Sequence, residues 1–153
     1  MQKITPFLWF DNQAEQAMNF YLSVFKDSKP LKLARYGDAG PGPKGTVMTA
    51  SFELNGQEFV AINGGPHLQI TPGISFVINC NTQEEINYYW DKLGNGGQIQ
   101  QCGWLTDKYG VTWQVVPTLL SELVSGADAE RAQRVMRVMM KMIKLDIKAL
   151  QQA

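Results

Sequence analysis

The chain has 153 residues, 44% hydrophobic and 18% charged, with 14 Lys plus Arg set against 14 Asp plus Glu. That length supports one ordinary domain or two small halves around a shared core, and the composition excludes a disordered tail or a coiled-coil rod. A net charge of zero lacks the basic field that binding to duplex nucleic acid demands, so no nucleic-acid partner is expected.

The opening residues, Met1-Gln2-Lys3-Ile4-Thr5-Pro6, show neither an apolar signal core nor a small-residue cleavage pattern. Apolar runs are far shorter than the roughly 20 residues that cross a bilayer. A cytoplasmic protein with no membrane partner is expected. Cys80 and Cys102 are too few for a disulfide framework and lack CxxC spacing. Reduced thiols are the favoured reading, with pairing of the two as the alternative.

Ile4 to Phe10 reads as a buried strand. Asp11 or Asn12 can cap the helix that follows, where Ala14, Ala17, Met18, Tyr21, Leu22 and Phe25 recur at helical spacing. Asp27, Ser28 and Pro30 break it. Leu31 to Tyr36 suggests a strand and Gly37 to Gly45 a loop. Thr46 to Leu54 and Gln57 to Ile62 then flank Asn55-Gly56, a strong hairpin signal.

The pattern restarts with a strand over Ile74–Asn79. Asn81 or Thr82 caps a helix running to Leu93, which Gly94, Asn95, Gly96 and Gly97 end. Short strands are expected over Gln98–Gln101 and Gly103–Thr106. Asp107 to Gly110 turns into a last strand, Val111 to Val116, stopped by Pro117. An offset of 68 residues lays Asn19-Phe20-Tyr21 over Asn87-Tyr88-Tyr89 and Phe25 over Leu93. The recurring order of strand, helix and three strands predicts two βαβββ modules, about 1–66 and 67–117. Each would expose an apolar sheet face alone, so the pair should bury those faces by packing or in a shared curved sheet.

After Pro117 a short helix, Thr118 to Val124, precedes Gly126 and one long helix, about Asp128 to Leu150. Its stripe is Ala132, Met136, Met139, Ile143, Ile147 and Leu150. Residues 118–153 thus form a helical extension of one structural domain. From Ala127 on, six basic residues outnumber three acidic ones, but the acidic remainder balances them. The Met-rich face is expected to pack on this chain or on a second subunit, and a homodimer is expected.

This plan resembles the vicinal oxygen chelate superfamily, the glyoxalase and bleomycin-resistance fold. The similarity sharpens to its PhnB-like group, often labelled demethylubiquinone methyltransferase-like. It is carried by Pro6-Phe-Leu-Trp-Phe-Asp11, Phe20-Tyr21 with Phe25, Gly64-Gly-Pro-His67, and Ile74-Ser-Phe-Val-Ile-Asn-Cys80. Gln101-Cys-Gly-Trp-Leu-Thr-Asp107, Gly110-Val-Thr-Trp-Gln-Val-Val-Pro117 and the Met-rich tail complete it. The resemblance implies an α+β fold of tandem βαβββ modules with curved mixed sheets and an added C-terminal helix.

Metal enzymes of that superfamily place His, Gln or Glu inside the sheet, where a divalent metal acts as a Lewis acid. Carried over position by position, their ligand sites fall on Pro6 or a neighbour, on Val60 or Ala61, on Gly73 or Ile74, and on Gln114. A single amide oxygen does not meet the need for three or four protein ligands, so no metal and no cofactor is expected. Methyl transfer is not expected either. The Gly37–Gly45 loop holds two prolines and leads into a strand, so it offers no helix N-terminus to a cofactor.

The candidate ligand-binding residues are Trp9, His67, Cys102, Trp104 and Gln114. His67, the only histidine, is the one weak catalytic candidate, since an imidazole titrates near neutral pH; a hydrogen-bonded hinge residue is its plainer role. Cys102 shows no neighbouring cation that would make it nucleophilic. Trp9, Trp104 and Trp113 fit an aromatic pocket wall and a core equally well, whereas Trp90 reads as packing. Asp107 reads as a turn cap, and Glu53 and Glu58 as solvated. Gln114 shares a strand face with Thr112 and Val116, which the resemblance makes the cavity face.

Whether the chain is an enzyme stays open. The leading reading is a metal-free protein that binds a small hydrophobic or aromatic molecule between curved sheets. The alternatives are a metal-dependent lyase or other enzyme of the superfamily, and a dimeric interaction module.

Overall fold

The continuous apolar run expected from Ile4 forms a strand only over β1 (Phe7–Phe10), leaving Ile4 exposed; burial alternates along it, with Leu8 and Phe10 buried and Phe7 and Trp9 turned the other way. The computed structural model describes residues 2–153; Met1, included in the sequence-based limits of the first module, lies outside the described residues. The chain divides into two compact units, one ending at Ile70 and the other beginning at Thr71.

In the first unit β1 leads to helix α1 (Ala14–Val24), whose Ala14, Ala17, Met18, Tyr21 and Val24 are buried. Strands β2 (Ser28–Arg35), β3 (Val47–Leu54) and β4 (Gln57–Asn63) follow. The sheet order is β1-β4-β3-β2, with β1 parallel to β4 and the other pairs antiparallel. Asn55 and Gly56 both take left-handed backbone angles, φ 48° and 82°, as the tight β3–β4 hairpin requires. Tyr21 stacks on Phe52, and Phe52 on Phe59, so aromatic rings tie α1 to the sheet.

Two expectations for this half need correction. Neither Asp11 nor Asn12 caps α1. Gln13 stands at the N-cap without a side-chain bond, and Asn63 at the end of β4 accepts from Ala14 N at 2.8 Å instead. Asp27, Ser28 and Pro30 do follow the end of α1, but the strand expected from Leu31 already starts at Ser28. Pro30 is tolerated there because β2 is the sheet edge and its register with β3 is irregular between Pro30 and Lys32.

The second unit repeats the plan with β5 (Ser75–Cys80), α2 (Gln83–Gly94), β6 (Gln98–Ile99), β7 (Trp104–Thr106) and β8 (Thr112–Pro117). Its order, β5-β8-β7-β6, matches the first, and the chain has the α+β architecture of tandem βαβββ modules that the repeat predicts. Thr82 caps α2 by accepting from Glu85 N, and the Glu85 carboxylate accepts from Asn81 N. Asp107 is 3% exposed and gathers Tyr109 N at 2.8 Å, Val111 N at 3.1 Å and Trp113 Nε1 at 2.9 Å. It fixes the turn expected of it and also anchors a core indole.

The single long helix expected over residues 128–150 is not formed. After α3 (Leu120–Ser125) the chain makes α4 (Ala129–Met139) and a short α5 (Ile147–Gln151). Between them an irregular strap lends the carbonyls of Met142 and Ile143 to Cys102 N and Gly103 N, at 2.9 and 2.8 Å. Gln83 fastens it by donating to Leu145 O at 3.0 Å and accepting from Ile147 N at 2.9 Å. Asp146 then caps α5. These tertiary bonds outweigh the helical period. They bury Leu145 and leave Ile143, a member of the expected stripe, exposed. Val135, Leu145 and Leu150 form a small buried cluster beneath the strap.

Candidate functional site

Strand alternation gives each sheet one face packed on its helix and one open face. On the first sheet the register aligns Trp9, Ile62 and Thr49 in one row across β1, β4 and β3, and Phe7, Val60 and Ser51 in another. Phe7 is 60% exposed. On the second sheet the register aligns Val77, Gln114 and Trp104 in one row across β5, β8 and β7, and aligns Ser75, Thr112 and Thr106 in the next. Gln114 Nε2 donates to Ser75 Oγ at 2.9 Å, and the Thr106 and Thr112 hydroxyls lie 3.0 Å apart. These bonds hold the polar groups in place on a face where Val77 is 49% exposed.

Trp9 and His67, 58 positions apart in sequence, meet in the first unit. Their rings stand edge to face with centroids 5.2 Å apart, and Trp9 Nε1 donates to Gly65 O at 3.0 Å. The turn passes this close because Gly64 has no side chain: a Cβ there would fall 2.2 Å from the indole. His67 is exposed and sits on the wall of a cavity of about 750 Å³ bounded by the Tyr36–Val47 loop, the start of α1 and the Asn63–His67 turn. Periodicity gave no sign of that cavity. Its only sequence signal is the pairing of the glycine-proline loop with Asn63-Gly64-Gly65.

Gln114 and Trp104 are direct neighbours in the second unit. Cys102 lies on the turn leading to β7, half-buried, at φ 59°, with its N–H on the strap. Both cysteines are free thiols. Cys80 is fully buried, and desolvation, followed by the charge of Glu85, pushes its thiol up to about 12. Trp113 and Trp90 are buried and belong to the helix-facing core, not to an open face. Glu53 and Glu58 are half-buried and directly opposed across β3 and β4.

The residues do not fit the superfamily's metal. No group of three or more His, Cys, Asp or Glu able to hold an ion occurs among the described residues. Of the positions that the resemblance maps to metal ligands only Gln114 carries a donor atom; its Nε2 donates to Ser75 Oγ, which leaves a single amide oxygen, fewer than the three or four protein ligands such a metal takes. No helix among the described residues is long and apolar enough to cross a membrane.

A family model described as 3-demethylubiquinone-9 3-methyltransferase matches residues 2–116, ending just before α3. Among solved structures, a PhnB protein from Bacillus cereus is 44% identical, with a TM-score of 0.69; the match covers 76% of this chain and 99% of that one. The Pseudomonas aeruginosa protein PA1353 is 22% identical over 76% of this chain and 98% of its own, with a TM-score of 0.64. The Listeria monocytogenes fosfomycin resistance protein FosX shares the fold at 12% identity, covering 79% of this chain and 94% of its own, with a TM-score of 0.58. No protein with a curated description matches.

Proposed function

The chain belongs to the family described as 3-demethylubiquinone-9 3-methyltransferase, within the glyoxalase or vicinal oxygen chelate superfamily, and on that premise we propose a metal-free binding protein for a small hydrophobic or aromatic molecule. The ligand lies on the open face of a sheet, and Trp104 and Gln114 are its main contacts. The observation that carries this reading is the row Val77, Gln114, Trp104. An aromatic wall, an aliphatic floor and one oriented amide are what a small apolar site with a single polar anchor needs. Phe7, Trp9, Val60 and Ile62 give the first sheet a comparable surface. Exposed apolar area of this kind marks a ligand or partner surface, and a homodimer covering part of it belongs to the same proposal.

Two features argue against chemistry borrowed from the family description. The Gly37–Gly45 loop joins two sheet strands and closes on Tyr36, with Gly45 N donating to Tyr36 O at 2.8 Å, so it offers a methyl-donor cofactor no phosphate-style cradle. His67 forms no hydrogen bond among the described residues; its ring packs edge to face on Trp9, and no carboxylate or carbonyl pairs with it as a general base's partner would.

A thermal-shift screen against quinones, aromatic antibiotics and thiol conjugates tests the reading. At least one compound is expected to raise the melting temperature, and Trp104→Ala to abolish the rise. Near-stoichiometric zinc, nickel, manganese or iron in protein purified without an affinity tag would favour the metal-dependent enzyme instead. A monomer mass by light scattering at micromolar concentration would remove the dimer.

A further inference from the structure

We propose that the first unit holds a second site, the cavity beside His67, which takes a small zwitterion carrying an ammonium group at one end and an oxyanion at the other. The proposal does not depend on the open-face reading, since it uses different residues.

The cavity's walls are held by bonds of their own. Tyr36 is 6% exposed, and its hydroxyl donates to Asn63 O at 2.5 Å across the base of the cavity. Asn63 reaches both ways, accepting from Ala14 N at the start of α1 and donating to Val47 O at 3.2 Å. Thr46 closes the loop with its N–H and hydroxyl on Pro43 O, at 3.2 and 2.6 Å. The opposite turn is fixed by the Trp9–Gly65 bond and by Gly64 N on Phe10 O at 2.9 Å. A cavity of about 750 Å³ falls in the size range of small-molecule sites, and this one is shaped before any ligand arrives.

Its charges point to the ligand. Asp11 and Glu15 lie on the wall formed at the start of α1, and Arg35 on the wall formed by the end of β2. None of the three is in an ion pair among the described residues. Arg35 spends one N–H on Gly45 O at 3.1 Å, which holds its fork near the loop and leaves its other donors free. A singly charged anion would meet two carboxylates, and a singly charged amine would meet the guanidinium. Only a molecule with both charges satisfies both walls, and like-charge contact works against the rest.

The test is calorimetric titration at low ionic strength with straight-chain ω-amino acids of two to six carbons, using butylamine and butyrate as singly charged controls. At least one ω-amino acid is expected to bind saturably, about tenfold tighter than either control, as expected for one added charge-assisted contact. Arg35→Gln and Glu15→Gln should each weaken it about tenfold. Both sites are at least partly exposed, and unchanged melting curves would confirm folding. Trp104→Ala should bind like the parent chain. No saturable binding by any member overturns the proposal. So does equal binding of the controls, undiminished binding by both charge variants, or loss of binding in Trp104→Ala.

Discussion

The two units share one strand order but close their sheets differently. In the first, β2, β3 and β4 are long, and the sheet is completed by its own hairpin and an eight-residue edge strand. In the second, β6 and β7 have only two and three residues, and the turn before β7 is held by Met142 and Ile143 of the C-terminal strap. The helices differ in the same sense. Thr82 caps α2 locally, whereas α1 depends on Asn63, 49 positions away. A duplicated topology therefore leaves open which part of each copy is self-supporting. Here the first unit relies on its sheet and the second on a segment added after it.

Deleting residues 118–153 should break this comparison most strongly. The second unit is expected to lose amide protection over β5 to β8 in hydrogen exchange while β1 to β4 keep theirs; equal loss in both would refute a local role for the strap. Leu145→Ala empties part of the buried cluster below the strap and should cost about 2–5 kcal/mol in urea unfolding. Asp107→Ala strands three donors, one a core indole, and about 2–3 kcal/mol is expected in the same measurement. Asn63→Ala should cost about 1–2 kcal/mol and Thr82→Ala about 1 kcal/mol, the difference reflecting the extra bond from Asn63 to Val47.

The smallest effect concerns pH and Cys80. Its folded-state value of about 12 lies above the ordinary 9.0, so above pH 9 the unfolded chain sheds a proton that the folded one keeps. Stability is fully present below pH 9 and falls from there toward pH 12. Between pH 8 and 10 the parent chain should lose about 1 kcal/mol more than Cys80→Ala, and equal losses would show that Cys80 carries no such linkage. Iodoacetamide should label the half-buried Cys102 before the buried Cys80.

Much of this was legible in the chain because it rests on local rules. Apolar runs bounded by turn residues found the strands, Asn55-Gly56 fixed the hairpin, Asn81-Thr82 marked a helix start that Thr82 caps, and the 68-residue offset revealed the duplication. The same alternation separated Gln114 from Trp113, since neighbours on a strand point to opposite faces. The helical period misread the tail. Met140 to Asp146 has helix-forming residues, and bonds to Cys102, Gly103 and Gln83, burial of Leu145 and the Asp146 cap hold it outside a helix. The candidate site divides in the same way. Residue types and faces for Trp9, Trp104 and Gln114 follow from their strands, but the meeting of Trp9 with His67 and the cavity around Asn63 depend on contacts between distant positions.

By itself, then, the amino-acid order determined the repeat and the elements up to Pro117, because propensity and alternation act over a few residues. Tertiary structure alone decided the Asn63 cap, the strap across the second unit and the opposed charges lining one cavity. Each brings together groups far apart in the chain, and no local pattern encodes that meeting.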